Sequence, residues 1–317
     1  MEYRYSGKSG LQLPLVSLGL WHNFGSVDPY DNARAMLLRA WEQGITHFDI
    51  ANNYGPEPGS AETTFGRVLR EDLAAHRDEM IISSKAGYLM WNGPYGDGGS
   101  RKYLMASCNQ SLRRTGLDYF DIFYSHRYDP NTPIEETMQA LVDIVHTGKA
   151  LYAGISNYPA DKQQECYDYL RAAHVPCVIS QYKANMLFED TLRNNLSVAE
   201  ENGSGFICFS PLAQGLLTDR YLHGIPEGSR ATKEVFLHRA QITEDVIART
   251  RRLSEIAASR GQSVAQMALA WLLAHEGVTS VIVGASSVAQ LDNNLHSVNN
   301  ITFSEHELQA IRRAIAE

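Results

Sequence analysis

The chain has few cysteines for its length, and none of them belongs to a short motif. Its 317 residues include four cysteines, at positions 108, 166, 177 and 208, and no C-x-x-C pair. Such wide spacing argues against a disulfide framework and against a cysteine-based zinc site. We therefore expect free thiols, a reducing cytoplasmic location and no bound metal.

Long apolar runs and basic runs are also missing. No segment approaches the roughly 20 apolar residues that span a bilayer, and the amino-terminal stretch MEYRYSGKSGLQLP lacks the apolar centre of a signal peptide. The net charge is −8 and no Lys/Arg run is present, so nucleic acid and anionic membrane surfaces are poor candidates for a partner. An anionic ligand would have to be bound locally, by backbone N–H groups and a few basic side chains.

A third absence concerns nucleotide binding. The G-x-G-x-x-G loop that follows the first strand of a doubly wound dinucleotide-binding sheet is missing, and the nearest approach, GSGF at 203–206, precedes a strand. The chain has instead eight short apolar runs, separated by stretches with helical patterns. The runs lie at residues 15–21, 46–53, 80–85, 119–126, 150–157, 177–182, 206–212 and 278–286.

Eight strand–helix repeats favour an α/β protein with a closed (β/α)8 (TIM) barrel over the doubly wound sheet. Strands that are apolar on both faces fit a parallel sheet joined by right-handed crossovers and buried on both sides. Gly44 is a typical helix stop, and Ser263 a typical helix start. No linker divides the chain. We therefore predict one domain over residues 1–317, with long loops after strands 3 and 7 (87–102 and about 213–243) and a C-terminal helix.

Ionisable residues end consecutive predicted strands, at the face where barrels carry their active sites. Asp49 and Tyr54 stand at and just after the second strand, and Lys85 closes the third. His126 closes the fourth. Taken singly, each is explained as well by an ordinary role, such as a helix cap, a solvated edge residue or a packing residue. Because barrel closure brings all four to one rim, we interpret them together as a catalytic group.

This group suits the reduction of a carbonyl, which needs hydride on carbon and a proton on oxygen. No side chain delivers hydride, so a cofactor is required. Tyr54 can donate the proton, but the ordinary phenol pKa of about 10 makes it a reluctant acid near neutral pH. We expect the Lys85 ammonium to lower that pKa, with Asp49 holding the charge of the lysine. His126 would hydrogen-bond the substrate oxygen and orient it.

Two predicted loops have features of phosphate-binding segments. They follow strands 7 and 8 and read SPLAQGLL (210–217) and GASSVAQLDNN (284–294). Both are rich in small residues that let backbone N–H groups approach an anion, and the second leads into a helix predicted to start near Ser287. Considered in isolation, either loop fits a plain connection equally well.

Together these segments resemble the aldo-keto reductase superfamily, whose (β/α)8 barrels use NADPH without a Rossmann fold. FDIANNYG (48–55) resembles the Asp-x4-Tyr signature of that family, and Lys85 in IISSKAG and His126 in IFYSHRYD match its other two catalytic positions. The resemblance implies that Tyr54 is the proton donor and that Asp49, Lys85 and His126 complete a catalytic tetrad. It also implies a set of cofactor contacts. These are Trp21, Asp49, Ser156, Asn157, Gln181, Ser210, Leu212, Gly215, Gly284, Ser286, Gln290 and Asn294, with Arg230 in reach of the cofactor phosphates.

Within the superfamily, the chain is most similar to a bacterial branch that reduces L-glyceraldehyde 3-phosphate and methylglyoxal and is related to the β subunits of voltage-gated potassium channels. DIANNYGPEPGSAE, KAGYLMWNGPYGDGGSRKYL and GIPEGSR carry this likeness. It implies an NADPH-dependent reductase of small aldehydes that forms a homo-oligomer, a tetramer or an octamer. Many aldo-keto reductases have a lysine and an arginine where this chain has Gly284 and Gln290, and neutral contacts discriminate NADPH from NADH less sharply.

Two other functions stay open at the level of the sequence. A nicotinamide-binding regulatory subunit of the channel type would share the tetrad and turn over slowly. A Schiff-base aldolase would use Lys85 as its nucleophile, although Tyr54 and the cofactor loops would then have no role. The residue that meets a substrate phosphate also stays open, with Arg101 and Arg127 as the candidates.

Overall fold

The computed structural model describes residues 1–227, 229–233 and 237–316, without the side chains of Arg230 and Lys233. Its strands comprise an N-terminal pair and the eight predicted barrel strands. They are β1 (Tyr3–Tyr5), β2 (Gln12–Pro14), β3 (Val16–Gly19), β4 (His47–Asp49), β5 (Ile81–Ala86), β6 (Phe120–Ser125), β7 (Ala150–Ser156), β8 (Cys177–Lys183), β9 (Gly205–Phe209) and β10 (Val278–Val283). From β3 onward each strand pairs in parallel with the next, and β10 pairs with β3, which closes the predicted barrel.

Helices follow the barrel strands and cover the outside of the barrel. They are α1 (Tyr30–Glu42), α2 (Ser60–Val68), α3 (Arg101–Thr115), α4 (Ile134–His146), α5 (Ala160–Ala172), α6 (Asp190–Asn194), α7 (Leu196–Glu201), α8 (Arg230–Lys233), α9 (Glu244–Ser259), α10 (Val264–Leu273), α11 (Val288–Leu295) and α12 (Glu305–Ala316). Gly44 adopts φ of 80° just beyond α1, and Ser263 caps α10 by accepting a hydrogen bond from the backbone N–H of Gln266. Both predicted helix signals are therefore confirmed.

Side-chain alternation along the strands decides which residues can reach the centre of the barrel. In β4, Phe48 faces outward and packs against Phe65 of α2, with ring centroids 5.7 Å apart. Its neighbours His47 and Asp49 consequently face inward, since successive strand residues point to opposite sides of the sheet. The same alternation in β5 turns Ser84 toward α2 and leaves Lys85 inside the barrel.

The N-terminal hairpin of β1 and β2 is missing from the sequence prediction. It covers the end of the barrel where the strands begin, because the Ser6 hydroxyl donates to Val178 O (2.8 Å) and Leu13 packs among interior side chains of β6, β8, β9 and β10. Gly7 sits in the turn with φ of 55°, and a Cβ there would lie 2.1 Å from Gly203 O. With this end covered, a ligand has access only from the end where the strands finish.

The two predicted long loops and the C-terminal helix are confirmed. Residues 87–100 after β5 contain no helix or strand, and the described residues between 210 and 243 form only short helical segments. Helix α12 ends the described chain. No helix among the described residues is long and apolar enough to cross a membrane.

A buried ion pair ties β5 to the helices around it. Glu62 of α2 is fully buried, and its carboxylate accepts hydrogen bonds from Ser84 Oγ (2.7 Å) and from Arg114 Nε of α3 (2.6 Å). Because a buried charge is strongly disfavoured without such partners, the position of α2 and α3 on this part of the sheet depends on the pair.

Replacing Arg114 with leucine leaves the Glu62 carboxylate buried without its cation. We expect the free energy of unfolding to fall by about 3–5 kcal/mol. The matched control is Arg193→Leu, which breaks a solvent-exposed pair with Glu189 and should change that free energy by about 0.5 kcal/mol or less. Urea unfolding at pH 7 measures both, and equally small losses in the two variants would contradict the role assigned to the buried pair.

Candidate active site

Two inward-facing side chains of neighbouring strands form an ion pair near the open end of the barrel. Lys85 Nζ lies 2.6 Å from Asp49 Oδ2, both residues are buried, and the ammonium also donates to Ile50 O at 2.7 Å. Burial lowers the pKa of Lys85, and the negative charge of Asp49 acts in the opposite direction. The contact expected between Asp49 and Lys85 is therefore present.

Tyr54 and His126 lie beside this pair. Lys85 Nζ is 5.0 Å from the centroid of the Tyr54 ring, and the rings of Tyr54 and His126 meet edge to face with centroids 5.9 Å apart. Gly87 lets the chain pass close to the end of β6, since a Cβ at that position would lie 3.0 Å from His126 Cβ and 3.2 Å from Arg127 N. The barrel thus brings the four ionisable residues of the sequence prediction into one cluster.

The pKa of Tyr54 is shifted in the direction opposite to the one expected from the sequence. Burial and the charge of Asp49 raise the pKa of Tyr54 well above its ordinary value of 10.0. Lys85 does not reverse this shift, because burial and the negative charge of Asp49 act in the opposite direction and prevail. Tyr54 consequently keeps its proton at neutral pH.

His126 is neutral for related reasons. Burial and the positive charges of Lys85 and Arg127 lower the pKa of His126 well below 6.5. A neutral imidazole carries one N–H donor and one acceptor nitrogen. The cluster therefore offers two neutral donors, a phenol and an imidazole, next to a buried ion pair.

Three of the expected cofactor residues connect β7 and β8 to this cluster. Gln181 Nε2 donates to Asp49 Oδ1 (3.0 Å), and Ser156 Oγ donates to Gln181 O (2.8 Å). Asn157 Nδ2 donates to His126 O (3.1 Å), from a backbone with φ of 59°. The Gln181 bond crosses the barrel from β8 to β4, and the Asn157 bond joins the end of β7 to the end of its neighbour β6.

A cavity of about 590 Å³ opens beside the cluster, and Tyr54 forms part of its wall. Most of the expected cofactor residues line it. They are Trp21, Asp49, Ser210, Leu212, Gly215, Gly284, Ser286, Gln290 and Asn294. Ser156, Asn157 and Gln181 do not line it. Arg230 begins α8, and its side chain lies outside the described residues.

The loops around the cavity have the local structure of a binding site. Ser210, Ala213 and Gln214 all have positive φ (52°, 47° and 60°), which is uncommon outside glycine and concentrates at functional sites. On the other side of the cavity, Ser287 caps α11 as predicted. Asn294 is 1% exposed and its Nδ2 has no hydrogen-bond partner, although it can donate two bonds. A polar ligand in the cavity would satisfy it.

Several lining residues were missed by the sequence reasoning. They are His22, Asn23, Phe209, Gln214, Asp219, Arg220 and Asn293. Arg220 carries the one Lys or Arg side chain that lines the cavity in the described part of the chain. It stands in a short 3-10 turn, Asp219–Tyr221, inside the long loop after β9. The loop itself was predicted, but no spacing pattern shows which of its residues fold back over a cavity. Across the described ranges, no group of three or more His, Cys, Asp or Glu side chains could hold a metal ion.

A further buried histidine, His47, lies below Asp49 and makes the stability of the fold depend on pH. His47 Nδ1 is 2.9 Å from Ser17 Oγ and Nε2 is 3.0 Å from Ser83 Oγ, and burial lowers the pKa of His47 to about 4. Between pH 6.5 and pH 4 the unfolded chain takes up a proton at this residue and the folded chain does not. The stability that His47 contributes is therefore fully present above pH 6.5 and is lost as the pH falls through that window.

We expect the free energy of unfolding to decrease by about 3 kcal/mol between pH 7 and pH 4 through His47 alone, the equivalent of its pKa shift. Urea unfolding of the wild type and of His47→Asn at pH 7, 6, 5 and 4.5 isolates the contribution of His47 to the free energy of unfolding, because the variant has no imidazole to titrate at that position. Parallel pH dependences in the two proteins would contradict the neutral, buried state of His47.

Comparison with known proteins agrees with this geometry. The chain matches the model of the Aldo/keto reductase family over residues 15–316. It is 56% identical to the L-glyceraldehyde 3-phosphate reductase of Escherichia coli O157:H7 and 55% identical to that of strain K12, over 100% of this chain and 93% of each relative. It is 34% identical to a probable voltage-gated potassium channel subunit beta of Arabidopsis thaliana, over 95% of this chain and 92% of that protein.

The family match spans nearly the whole barrel, and the reductases align with the chain from end to end. The family resemblance inferred from the tetrad motifs is thereby confirmed, and so is its relation to the channel subunits. We conclude that the chain belongs to the aldo/keto reductase family of oxidoreductases.

Proposed function

We propose that this protein reduces small aldehydes to alcohols with NADPH, and that L-glyceraldehyde 3-phosphate and methylglyoxal are among its substrates. The observation that carries the proposal is the cluster of Tyr54, His126 and the Lys85–Asp49 pair, of which Tyr54 and Asp49 line one large cavity. The end-to-end similarity to two L-glyceraldehyde 3-phosphate reductases supports the choice of substrate. A cytoplasmic location and a homo-oligomer of four or eight subunits form part of the same proposal.

The residues around the cavity fit a nicotinamide dinucleotide. The Asn294 Nδ2, which has no hydrogen-bond partner, and the cavity-lining side chain of Arg220 suit a polar and anionic ligand. We assign Ser210, Leu212, Gly215, Arg220 and Arg230 to the phosphates. The last loop supplies Gly284, Ser286, Gln290 and Asn294, and the strand ends supply Trp21, Asp49, Ser156, Asn157 and Gln181. Because Gly284 and Gln290 are uncharged, we propose a preference for NADPH that is less strict than charged contacts would give.

The tetrad supplies the proton. When bound, the nicotinamide supplies the hydride. Tyr54, protonated at neutral pH, donates its hydroxyl proton to the carbonyl oxygen as negative charge develops there. The N–H of neutral His126 hydrogen-bonds the same oxygen and orients the aldehyde. Lys85 Nζ lies 5.0 Å from the centroid of the Tyr54 ring, and its ammonium, held charged by Asp49, stabilises the phenolate that remains.

Arg101 and Arg127 each form an ion pair, and Arg127, paired with Asp97 at 2.8 Å, is the one that lies beside His126. Arg101 forms an ion pair with Asp143 of α4, on the outside of the barrel. Arg127 directly follows His126, and its guanidinium lies 5.2 Å from the centroid of the Tyr88 ring. That ring in turn packs edge-on against His126 at 4.7 Å. Since the His126 imidazole marks the carbonyl end of the substrate, we assign the phosphate to Arg127.

A second candidate, a regulatory subunit that binds nicotinamide and turns over slowly, is favoured by the 34% identity to the channel subunit. A tightly retained cofactor together with very slow turnover would support it. The Schiff-base aldolase is disfavoured, because Lys85 is 0% exposed and two of its three N–H groups are bonded to Asp49 and Ile50.

Tyr54→Phe tests the proposed chemistry, since it removes the proton donor and keeps the ring. We expect kcat for both aldehydes to fall by at least about a hundredfold with little change in the affinity for NADPH. Tyr182→Phe is the matched control, because that phenol lies near the end of β8 but is buried and stacked on Phe206 at 5.3 Å. Steady-state assays with NADPH and with NADH measure both, and wild-type turnover of Tyr54→Phe would refute the mechanism.

Arg127→Met tests the phosphate assignment. We expect KM for L-glyceraldehyde 3-phosphate to rise roughly tenfold or more, because a charge-assisted contact is lost, while KM for uncharged methylglyoxal stays within about twofold. Arg101→Met should change neither value. An equal loss with both aldehydes would show that Arg127 shapes the loop rather than binding the phosphate.

A further inference from the structure

A continuous chain of buried polar side chains crosses the interior of the barrel and ends at Asp49. Ser280 Oγ lies 2.8 Å from Ser17 Oγ, which lies 2.9 Å from His47 Nδ1. His47 Nε2 lies 3.0 Å from Ser83 Oγ, which donates to Asp49 Oδ1 at 2.7 Å. The five residues come from the four neighbouring strands β10, β3, β4 and β5, and each is almost completely buried. No solvent-facing role accounts for such a chain.

The positions of the protons between Ser17 and Asp49 follow from the carboxylate at the end of the chain. The Asp49 carboxylate can only accept, so the single hydroxyl proton of Ser83 must point at it. The contact between Ser83 and His47 then needs its hydrogen from the imidazole, which places the proton of His47 on Nε2. Nδ1 is left as an acceptor, and Ser17 therefore donates to it.

Counting the available hydrogens also excludes the other tautomer of His47, which carries its proton on Nδ1. With the proton on Nδ1, the Nε2 lone pair would take the hydroxyl hydrogen of Ser83, and two oxygens 2.7 Å apart would face each other without a hydrogen. The remaining partners of Asp49 are also donors: Gln181 Nε2 contacts Oδ1 and Lys85 Nζ contacts Oδ2. The Asp49 carboxylate thus accepts each of these hydrogen bonds.

We propose that Ser83 is a positioning residue for the reaction, held in its donor orientation by His47. Its hydroxyl fixes Asp49 Oδ1, so that Oδ2 faces Lys85 and the ammonium stays beside Tyr54. This inference rests on the proposed function, in which Tyr54 donates the proton. Ser83 itself lies below the ion pair and lines no part of the cavity, so its effect on the reaction passes through Asp49.

The chain offers a matched pair of serines to test this role. Ser83 and Ser84 are adjacent in β5 and both fully buried, but Ser83 donates to Asp49 and Ser84 to Glu62 on the outside of the barrel. We expect Ser83→Ala to lower kcat roughly tenfold or more, with KM for the aldehyde changed less than about twofold. Ser84→Ala should lower the melting temperature and leave kcat unchanged.

Two variants of His47 test the proton order. The amide of glutamine can take the place of Nε2 and keep a donor toward Ser83, whereas asparagine can replace only Nδ1 and leaves Ser83 without its donor. We expect kcat of His47→Asn to be at least about fivefold below that of His47→Gln. Two-bond 15N–1H correlation spectra of histidine-labelled wild-type protein should show His47 protonated on Nε2 alone, with His47→Asn used to assign its signal.

Wild-type kcat in Ser83→Ala, equal kcat in the two His47 variants, or a proton on Nδ1 would each overturn the inference. Both serine variants could also lose melting temperature while both keep the wild-type kcat. That result would mean that the chain of side chains only stabilises the fold. These results are distinguishable from failure of the proposed function, because that failure is read from Tyr54→Phe. The tautomer measurement needs no turnover at all.

Discussion

The buried ion pair between Lys85 and Asp49 is the constraint on which the rest of the site depends. An ammonium with no exposure to solvent keeps its charge only if a carboxylate stands against it, because burial alone lowers the pKa of the lysine. That carboxylate needs donors of its own, which Ser83 and Gln181 provide. The interior of the barrel near β4 and β5 is polar for this reason, while the end under the hairpin is filled with apolar side chains.

The pair also explains why the neighbouring groups are neutral. Burial is the main cause that raises the pKa of the Tyr54 phenol, and the negative charge of Asp49 adds to it. Burial and the positive charges of Lys85 and Arg127 lower the pKa of His126, which keeps the imidazole neutral. A neutral phenol and a neutral imidazole are both hydrogen-bond donors, which is the state required to protonate a carbonyl oxygen. The Lys85 charge in the buried pair therefore contributes to the reaction only when the Tyr54 phenolate forms.

The sequence was sufficient for the eight strands and for the residues at their ends, because apolar runs with helical stretches between them repeat along the chain. It was insufficient where the outcome depends on register and on net charge. Ser17, His47 and Ser83 meet only because three strands align in one register, and no local pattern marks them. The predicted direction of the Tyr54 pKa shift was wrong because the sequence shows a lysine but not the burial of the phenol beside Asp49. Arg220 was missed because a long loop has no periodic sequence pattern from which its path could be predicted.

The central claim is that Asp49 enables proton transfer by holding the charge of Lys85. The most direct test of this claim is the single-turnover rate of methylglyoxal reduction at saturating NADPH, measured for Asp49→Asn and for the wild type. Loss of the carboxylate should slow this step by at least about a hundredfold in a folded protein. A single-turnover rate equal to that of the wild type would contradict the claim.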